Sequence, residues 1–190
     1  MKKKENKMIK FEDYNFGNDF KKAHVTNLNL PDETIKTILD WTKDPNRILL
    51  FSGNPGVGKT YLCAAMVRYF IEKGIFPRYF NEKGLQSKLR STIETVDYEA
   101  ELRRLCDSSH FYLDDIGSQV STEWRDDIFF SFVDMRNSNR SPTIITSNLF
   151  LSELKERYDK RTLSRLMDSR NVIIELNWID KRKDHKDSWN

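Results

Sequence analysis

The chain alternates between short apolar runs and longer stretches whose apolar residues recur at helical spacing. The apolar runs have the length of buried strands, which in a parallel sheet read as continuous hydrophobic segments. Strands are predicted at 48–51, 78–80, 110–113, 142–148 and 172–176. Helices are predicted at 31–43, from the end of 53–60 to 73–74, in two pieces within 82–106 with a break near 92–97, and at 121–137, 151–158 and 160–168.

This order, a strand followed by a helix about five times, predicts an α/β fold. Because strand–helix–strand crossovers are right-handed, the strands should form a parallel sheet with helices on both faces, a three-layer sandwich. The chain has 190 residues, which suits one domain with a real core. We expect residues 1–10, with five lysines, to be a flexible tail, 11–182 to be the folded domain and 183–190 to fray.

A phosphate-binding motif lies between the first predicted strand and the helix after it. Residues 53–60 read Gly-Asn-Pro-Gly-Val-Gly-Lys-Thr and fit G-x-x-x-x-G-K-[ST] at every fixed position. Glycines let the backbone close around an anion, and the helix N-terminus adds its positive dipole end. Lys59 should reach the β- and γ-phosphates, and the Thr60 hydroxyl should ligate Mg²⁺. A chance glycine-rich turn is the alternative, which the flanking strand and helix disfavour. The predicted nucleotide-binding residues are Gly53, Asn54, Pro55, Gly56, Val57, Gly58, Lys59, Thr60 and Tyr61.

Two more predicted strands end in polar residues. Asp114 and Asp115 follow the third strand, where Asp114 would hold the Mg²⁺ shell and Asp115 would orient or deprotonate an attacking water. Asn148 ends the fourth strand, and its amide can hydrogen-bond the γ-phosphate or that water. Taken alone, these residues read more simply as an acidic turn and a helix cap. Ligands of parallel sheets bind at the carboxyl ends of the strands, so we expect all three sites to meet at one edge.

Aromatic residues near the N-terminus leave two interpretations open. Phe11, Tyr14, Phe16 and Phe20 lie in a polar setting. They could pack against the core or line the base end of a nucleotide pocket. Packing is favoured for any single ring, because aromatic side chains mostly serve packing.

Composition excludes several classes of protein. The net charge is +3, which does not by itself mark a nucleic-acid binder. Cys63 and Cys106 have no metal-binding spacing and the histidines are scattered, which predicts buried thiols and no zinc site. No apolar run approaches the roughly 18 residues of a membrane span. The basic N-terminus lacks the apolar core of a signal peptide, so a cytoplasmic protein without membrane contact is expected.

With these motifs placed, the chain resembles AAA+ ATPases, in particular the DnaC/DnaI helicase loaders and the related IstB transposition helpers. The resemblance covers roughly residues 11–182. Four segments carry it: 53–60, Phe-Tyr-Leu-Asp-Asp-Ile-Gly at 111–117, Thr-Ile-Ile-Thr-Ser-Asn at 143–148 and Ser-Arg-Leu-Met at 164–167. The first motif is shared by all P-loop proteins, whereas the second and third together are more specific. The resemblance implies an AAA+ type P-loop fold with a five-stranded parallel sheet and little or no C-terminal lid domain.

The resemblance also implies ATP and Mg²⁺ as ligands and gives single residues their functions. Lys59 and Thr60 would bind phosphate and metal, Asp114 would belong to the metal shell, and Asp115 would be the catalytic acidic residue. Asn148 would sense the γ-phosphate. Many AAA+ proteins have Asp-Glu where this chain has Asp114-Asp115, so ATP hydrolysis is expected to be slow.

The resemblance also implies functions for three arginines and a lysine. Arg165 would be an arginine finger that reaches the ATP of a neighbouring subunit, which implies self-assembly; without the resemblance a surface salt bridge is favoured. Arg182 stands where a second sensor lies. Helices between the second and third strands help the family contact single-stranded DNA, which indicates Lys88 and Arg90. A solvated helix surface is the alternative for both.

Three functions are compatible with these observations. The first is an ATPase that assembles on DNA and loads or remodels a replicative helicase or a transposase. The second is an adaptor that binds ATP as a switch and docks a replication protein with little turnover. The third is a small-molecule phosphotransferase, in which the motifs at 146–148 and 164–166 have no obvious use. The loaders carry an extra N-terminal domain that grips the helicase, whereas the residues ahead of the first strand here read as part of the ATPase core.

Overall fold

Five parallel strands form a single sheet at the centre of the molecule. The computed structural model describes residues 10–14, 16–28, 30–91 and 98–177. The strands are β1 (Ile48–Gly53), β2 (Arg78–Asn81), β3 (Phe111–Ile116), β4 (Thr143–Ser147) and β5 (Val172–Leu176). Their order across the sheet is β2-β3-β4-β1-β5. The first strand of the chain is therefore inside the sheet, next to β4 and β5.

Helices cover both faces of this sheet, which confirms the predicted three-layer sandwich. They are α1 (Asp32–Lys43), α2 (Lys59–Glu72), α3 (Glu82–Arg90), α4 (Tyr98–Cys106), α5 (Glu123–Ser138), α6 (Leu151–Arg157) and α7 (Lys160–Leu166). Apolar residues of α1, α2 and the N-terminal segment form the core on one face. Those of α3 to α7 form the core on the other. The described part of the chain ends at Asn177, one residue after β5.

Side-chain caps fix where several helices begin. The Asn81 carboxamide oxygen accepts from the Gly84 N–H at 2.7 Å at the start of α3. Thr122 caps α5, and Asp159 caps α7 by accepting from the Thr162 N–H at 2.8 Å. Such residues satisfy N–H groups that have no partner within the first helical turn. The helix predicted at 121–137 therefore begins after Thr122, at Glu123.

The third strand is longer than the sequence indicates. It was predicted to end at Leu113 but runs on through Asp114 and Asp115 to Ile116. Asp114 pairs with Asn81 of β2, while the register with β4 shifts between Leu113 and Ile116. The acidic residues remain in the strand because hydroxyl groups of neighbouring strands satisfy the Asp114 carboxylate.

The N-terminal segment is fastened to the outside of α2. Three short 3-10 helices, Phe11–Tyr14, Asn18–Phe20 and Val25–Asn27, run along this face. The Arg68 guanidinium lies 4.0 Å from the centre of the Phe11 ring, and its Nε donates to the Ala23 carbonyl at 2.7 Å. Phe11 stacks on Phe16 with ring centres 5.5 Å apart. Packing, the favoured interpretation, therefore holds for these two rings.

Some predictions fall outside the described residues. These are most of the tail at 1–10, the helix break near 92–97, Arg182, and the end at 183–190. Cys63 and Cys106 are both buried free thiols, as predicted. Among the helices that the structure describes, none combines the length and apolar character needed to cross a membrane.

Candidate nucleotide site

The loop between β1 and α2 folds into a cradle for an anion. Gly53, Gly56 and Gly58 have φ angles of 125°, 82° and 98°, a region that other residues rarely adopt. A Cβ atom on Gly53 would lie 1.9 Å from the carbonyl oxygen of Leu176 in β5, so only glycine fits there. Gly58 is the N-cap of α2, and the loop therefore runs directly into a helix N-terminus. Unpaired N–H groups and the helix dipole make such an end favourable for a phosphate.

Lys59 turns its charge into this loop. Its side chain is only 6% exposed, and Nζ donates to the carbonyl oxygens of Gly53 and Asn54, both at 2.7 Å. A buried ammonium requires such acceptors. A phosphate in the cradle would offer the same atom a charged acceptor, which makes a shorter and stronger hydrogen bond than a carbonyl does.

Asp114, in the second half of β3, receives hydrogen bonds from three hydroxyl groups. Thr60 Oγ1 lies 3.1 Å from Oδ2, and the Tyr79 hydroxyl donates to the same oxygen at 3.0 Å. Thr146 Oγ1 of β4 donates to Oδ1. The carboxylate is 5% exposed, and these donors stabilise its charge. The two predicted metal ligands, Thr60 and Asp114, are therefore in direct contact.

Asp115 and Asn148 form a second polar pair at the same edge. Asn148 Nδ2 donates to Asp115 Oδ1 at 2.5 Å. Asp115 has φ of 60°, in the left-handed region that residues other than glycine seldom occupy. Its N–H donates to Thr146 Oγ1 at 2.9 Å, so Thr146 bridges the two acidic residues. Strained backbone of this kind tends to occur at functional sites.

A cavity of about 750 Å³ opens beside the phosphate loop. Its lining includes 55–62 of the loop and of α2, together with Asn148 and Leu176. The N-terminal segment supplies the other wall, and the lining residues there are Asp19, Phe20, Asn27, Leu28 and Leu30. Phe20 thus faces the cavity, in contrast to Phe11 and Phe16. The cavity has the size and mixed polarity of a cofactor site.

The oxygen donors at this edge suit Mg²⁺ bound together with phosphates. Within the described residues, no group of three or more His, Cys, Asp or Glu is placed to hold a metal ion. Mg²⁺ characteristically takes one or two protein oxygens and completes its shell with phosphate and water. The hydroxyl of Thr60 and the carboxylate of Asp114 fit that pattern.

Arg165 lies away from this site. Its Nε donates to Asp134 Oδ1 of α5 at 2.5 Å, and the arginine side chain is 45% exposed. Asn171 Nδ2 donates to the Arg165 carbonyl, and Asn171 Oδ1 accepts from the N–H of Ile48. Arg165 is therefore anchored near the start of β1, whereas the phosphate loop follows its end. A strand of this length separates them by roughly 17 Å along the sheet.

Lys88 and Arg90 extend from α3, also outside the cavity lining. Lys88 Nζ is 3.7 Å from a carboxylate oxygen of Glu101, which is also paired with Arg104. The Arg90 guanidinium lies 5.3 Å from the centre of the Trp124 ring. Lys88 is partly neutralised by its own chain, while Arg90 lies against an aromatic face.

Two residues of the site had no function assigned from the sequence. Thr146 is inside the motif at 143–148, but nothing in the pattern distinguishes it from its neighbours. Tyr79 reads as one more apolar residue of a short strand. Only the adjacency of β2, β3 and β4 in the sheet brings both hydroxyls to Asp114.

The chain matches a known protein family over most of its length. The sequence profile of the family described as IstB-like ATP binding protein matches residues 2–174. The chain belongs to this family. This match confirms the resemblance to IstB-like proteins that the motifs indicate.

The IstB-like chain is similar in sequence to proteins that are named as replicative helicase loaders. It is 30% identical over 137 residues to "Replicative helicase loader DnaC" of Buchnera aphidicola subsp. Baizongia pistaciae, an alignment that covers 70% of this chain and 56% of the relative. It is 29% identical over 111 residues to "Replicative helicase loader DnaI" of Bacillus subtilis, covering 58% and 36%. The chain spans about half the length of the DnaC relative, and the alignment with DnaI is shorter still.

Solved structures confirm the AAA+ type of the P-loop fold. The crystal structure of the DnaC helicase loader superposes with a TM-score of 0.73 at 24% identity, covering 84% of this chain and 99% of that one. The replication initiator DnaA bound to AMPPCP and single-stranded DNA gives a TM-score of 0.73 at 14% identity, covering 88% and 55%. At these identities the likeness is one of fold.

Proposed function

We propose that this IstB-like protein binds ATP with Mg²⁺, hydrolyses the ATP and uses the cycle on a protein partner in DNA replication, in the cytoplasm. The observation that carries the proposal is the meeting of three elements at one sheet edge. These are the phosphate loop at 53–60, the hydroxyl-bonded Asp114, and the Asp115–Asn148 pair. A phosphate cradle, a metal-holding carboxylate and an acid beside an amide are the parts that nucleotide hydrolysis requires.

Each part has its own task in this proposal. Lys59 binds the β- and γ-phosphates, and Thr60 and Asp114 hold the metal. Mg²⁺ held there would neutralise negative charge that develops on the phosphates. Asp115 orients or deprotonates the attacking water, and Asn148 hydrogen-bonds that water or the γ-phosphate. The cavity wall around Phe20 receives the base.

Arg165 completes the site of a neighbouring subunit in this proposal. Its position near the start of β1 supports action on another subunit rather than on its own. Its ion pair with Asp134 is exposed, and such pairs contribute only about 0–1 kcal/mol. A triphosphate presented by a second copy can therefore compete for the guanidinium. Self-assembly follows as part of the proposal.

The names of the relatives support a replicative helicase as the protein partner. Two of them are called replicative helicase loaders, and the chain matches about half of the DnaC relative. The family description leaves a transposase as the alternative partner. Single-stranded DNA would contact α3 through Lys88 and Arg90, mainly at phosphates. Such binding should weaken as salt concentration rises.

A second candidate is an ATP-switched adaptor with little turnover. The Asp115–Asn148 contact favours it, because the acid that would activate water is engaged by the amide that would sense phosphate. In that case binding of ATP, rather than its hydrolysis, would control docking of a replication protein.

Phosphate release tests the proposal and separates the two candidates. The protein is incubated with ATP and Mg²⁺, alone and with an oligothymidylate, while nucleotide binding is measured in parallel. Hydrolysis above background that the oligonucleotide increases supports the ATPase. Tight ATP binding with no phosphate release in either condition would refute hydrolysis and support the adaptor.

A further inference from the structure

Asp114 is held from both sides by neighbouring strands. β3 lies between β2 and β4, and each neighbour contributes one hydroxyl to the carboxylate. Thr146 of β4 donates to Oδ1, and Tyr79 of β2 donates to Oδ2 at 3.0 Å. Thr60 also contacts Oδ2 but belongs to the proposed metal ligands. Once Thr60 binds metal, Tyr79 and Thr146 are the hydroxyls left to orient Asp114.

Tyr79 reaches Asp114 from one position back in the sheet. The residue directly opposite Asp114 on β2 is Asn81, whose side chain is used to cap α3. Tyr79 lies two residues earlier and therefore on the same face of the strand. Its direct partner on β3 is Tyr112, so its hydroxyl must extend diagonally. Aromatic side chains are long enough for such diagonal contacts across strands, whereas shorter ones are not.

The Tyr79 ring is fixed and its hydroxyl remains a donor. The ring centre lies 4.3 Å from that of Phe16, which in turn stacks on Phe11 of the N-terminal segment. The phenol hydroxyl donates to Asp114 Oδ2, and with the ring held on Phe16 this donor has a fixed direction.

We propose that Tyr79 is a positioning residue that fixes the orientation of Asp114 for Mg²⁺. The inference rests on the proposed function, since it concerns the metal of the same site. Hydrogen bonds to the carboxylates that ligate a metal set their orientation, and loss of such a partner typically weakens metal affinity about 10- to 100-fold. Among the described residues the Tyr79 hydroxyl bonds Asp114 and no group of the phosphate loop, so its effect should depend on the metal alone.

Substitution of Tyr79 by Phe isolates the hydroxyl, because the ring and its packing on Phe16 remain. Tyr112→Phe is the matched control. Tyr112 lies opposite Tyr79 on β3 and is fully buried, and its hydroxyl has no hydrogen-bond partner among the residues the structure describes. Removing an unpartnered buried hydroxyl should be nearly neutral. Asp114→Asn serves as the reference for loss of the metal ligand itself.

The measurement is binding of a fluorescent ATP analogue, in EDTA and over a Mg²⁺ titration, with thermal unfolding as a check on folding. In EDTA, Tyr79→Phe should bind the analogue as the wild type does. It should require about 10-fold more Mg²⁺ to reach the metal-dependent gain in affinity for the analogue. Tyr112→Phe should match the wild type in both conditions. In Asp114→Asn the metal-dependent gain should disappear.

Other outcomes overturn the inference and can be told apart. An unchanged Mg²⁺ midpoint in Tyr79→Phe, with the gain lost in Asp114→Asn, would refute the positioning by Tyr79 and leave the proposed function intact. Weaker binding of Tyr79→Phe already in EDTA would mean that the hydroxyl supports the fold of the site rather than the metal. A full metal-dependent gain in Asp114→Asn would refute the proposed metal site itself.

Discussion

Lys59 holds its charge against two carbonyl oxygens of its own loop. Carbonyl oxygens are weaker acceptors than phosphate oxygens, so the ammonium would make stronger hydrogen bonds to a triphosphate in the cradle. The hydrogen bonds of its ammonium are to its own loop, so its contribution to folding should be small compared with its contribution to ligand binding.

We therefore expect Lys59→Ala to lose nucleotide affinity while the protein stays folded. Hydrogen bonds to charged groups contribute about 1.5–3 kcal/mol, so the loss should be about 10- to 100-fold. Binding of a fluorescent ATP analogue measures it. Lys73→Ala, at the other end of α2, is the control and should bind normally. Unchanged affinity in Lys59→Ala would contradict the assignment of the site.

Replacement of Arg165 should leave ATP binding intact and remove the stimulation of hydrolysis that depends on assembly. The reason is that the guanidinium stabilises charge in the transition state of a neighbour, an effect worth about 10³–10⁵ in rate in other systems. Phosphate release as a function of protein concentration measures it. Arg161→Ala is the control, since Arg161 makes a comparable exposed pair with Asp127 on the same helices.

A mixing experiment sharpens this prediction. Lys59→Ala subunits should lack a working site but still supply Arg165, whereas Arg165→Ala subunits retain the site and lack the arginine. Each variant alone should be nearly inactive, and an equal mixture should recover part of the stimulated rate. No recovery in the mixture, or loss of stimulation in Arg161→Ala instead, would count against Arg165.

At the scale of single residues, the sequence predicts those site residues that belong to a motif of consecutive residues. The motif at 53–60 and the acids after an apolar run predict Lys59, Thr60 and Asp114 without any coordinates, and the structure brings Thr60 and Asp114 into contact. Tyr79 could not be found in this way, because its contact with Asp114 depends on which strand lies beside β3. The left-handed backbone of Asp115 is equally invisible in the residue order.

Helix α5 carries a buried cation that joins it to the ends of two loops. Arg136 is fully buried, and its guanidinium donates to the carbonyls of Cys106, Ser108 and Pro142 and to Thr143 Oγ1. Burial lowers its pKa to about 10. These acceptors precede β3 and β4 or lie at the start of β4, so α5 fixes the edge of the sheet opposite the phosphate loop.

We expect Arg136→Met to destabilise the protein strongly. The substitution keeps most of the apolar volume but leaves buried carbonyl groups without donors, each at a cost of about 1–3 kcal/mol. The free energy of unfolding in urea should fall by at least about 3 kcal/mol. Arg103→Met, at an exposed arginine of α4, should change it by less than about 0.5 kcal/mol. Equal effects of the two substitutions would refute the structural importance of Arg136.

At the scale of elements, periodicity and apolar runs predict nearly every strand and helix. β5 was predicted at 172–176 and is found there. The end of β3 was missed because acidic residues ordinarily favour a turn, and only the hydroxyls of adjacent strands retain them in the sheet. The three 3-10 helices near the N-terminus were not predicted either, since their fold depends on packing against α2 rather than on local pattern.

The whole molecule should lose stability in acid partly because of one histidine. His110 is 6% exposed, and neither ring nitrogen has a hydrogen-bond partner among the described residues. Burial, and then the nearby Arg136 guanidinium, lower the pKa of His110 from 6.5 to about 4. The unfolded chain therefore binds a proton at a pH where the folded chain does not.

Because the folded state keeps His110 neutral, this residue costs no stability above pH 6.5. The free energy of unfolding then falls as the pH drops from 6.5 toward 4. The expected loss at pH 5 is about 1–2 kcal/mol in the free energy of unfolding. Urea denaturation at several pH values measures it. His110→Phe should flatten this dependence, whereas His24→Ala should retain it. An equally steep decline in His110→Phe would assign the effect to other groups.

In the proposed self-assembly, the distance between Arg165 and the phosphate loop of its own chain sets the geometry of the contact between copies. A subunit that gives an arginine from one edge and receives one at the other must join its copies head to tail. Such heterologous contacts close into a ring when the rotation permits and otherwise extend as an open helix. An open helical array of subunits has two different ends, and the subunit at one end always lacks a neighbour that gives it an arginine. Longer arrays would then turn over more ATP per subunit than short ones.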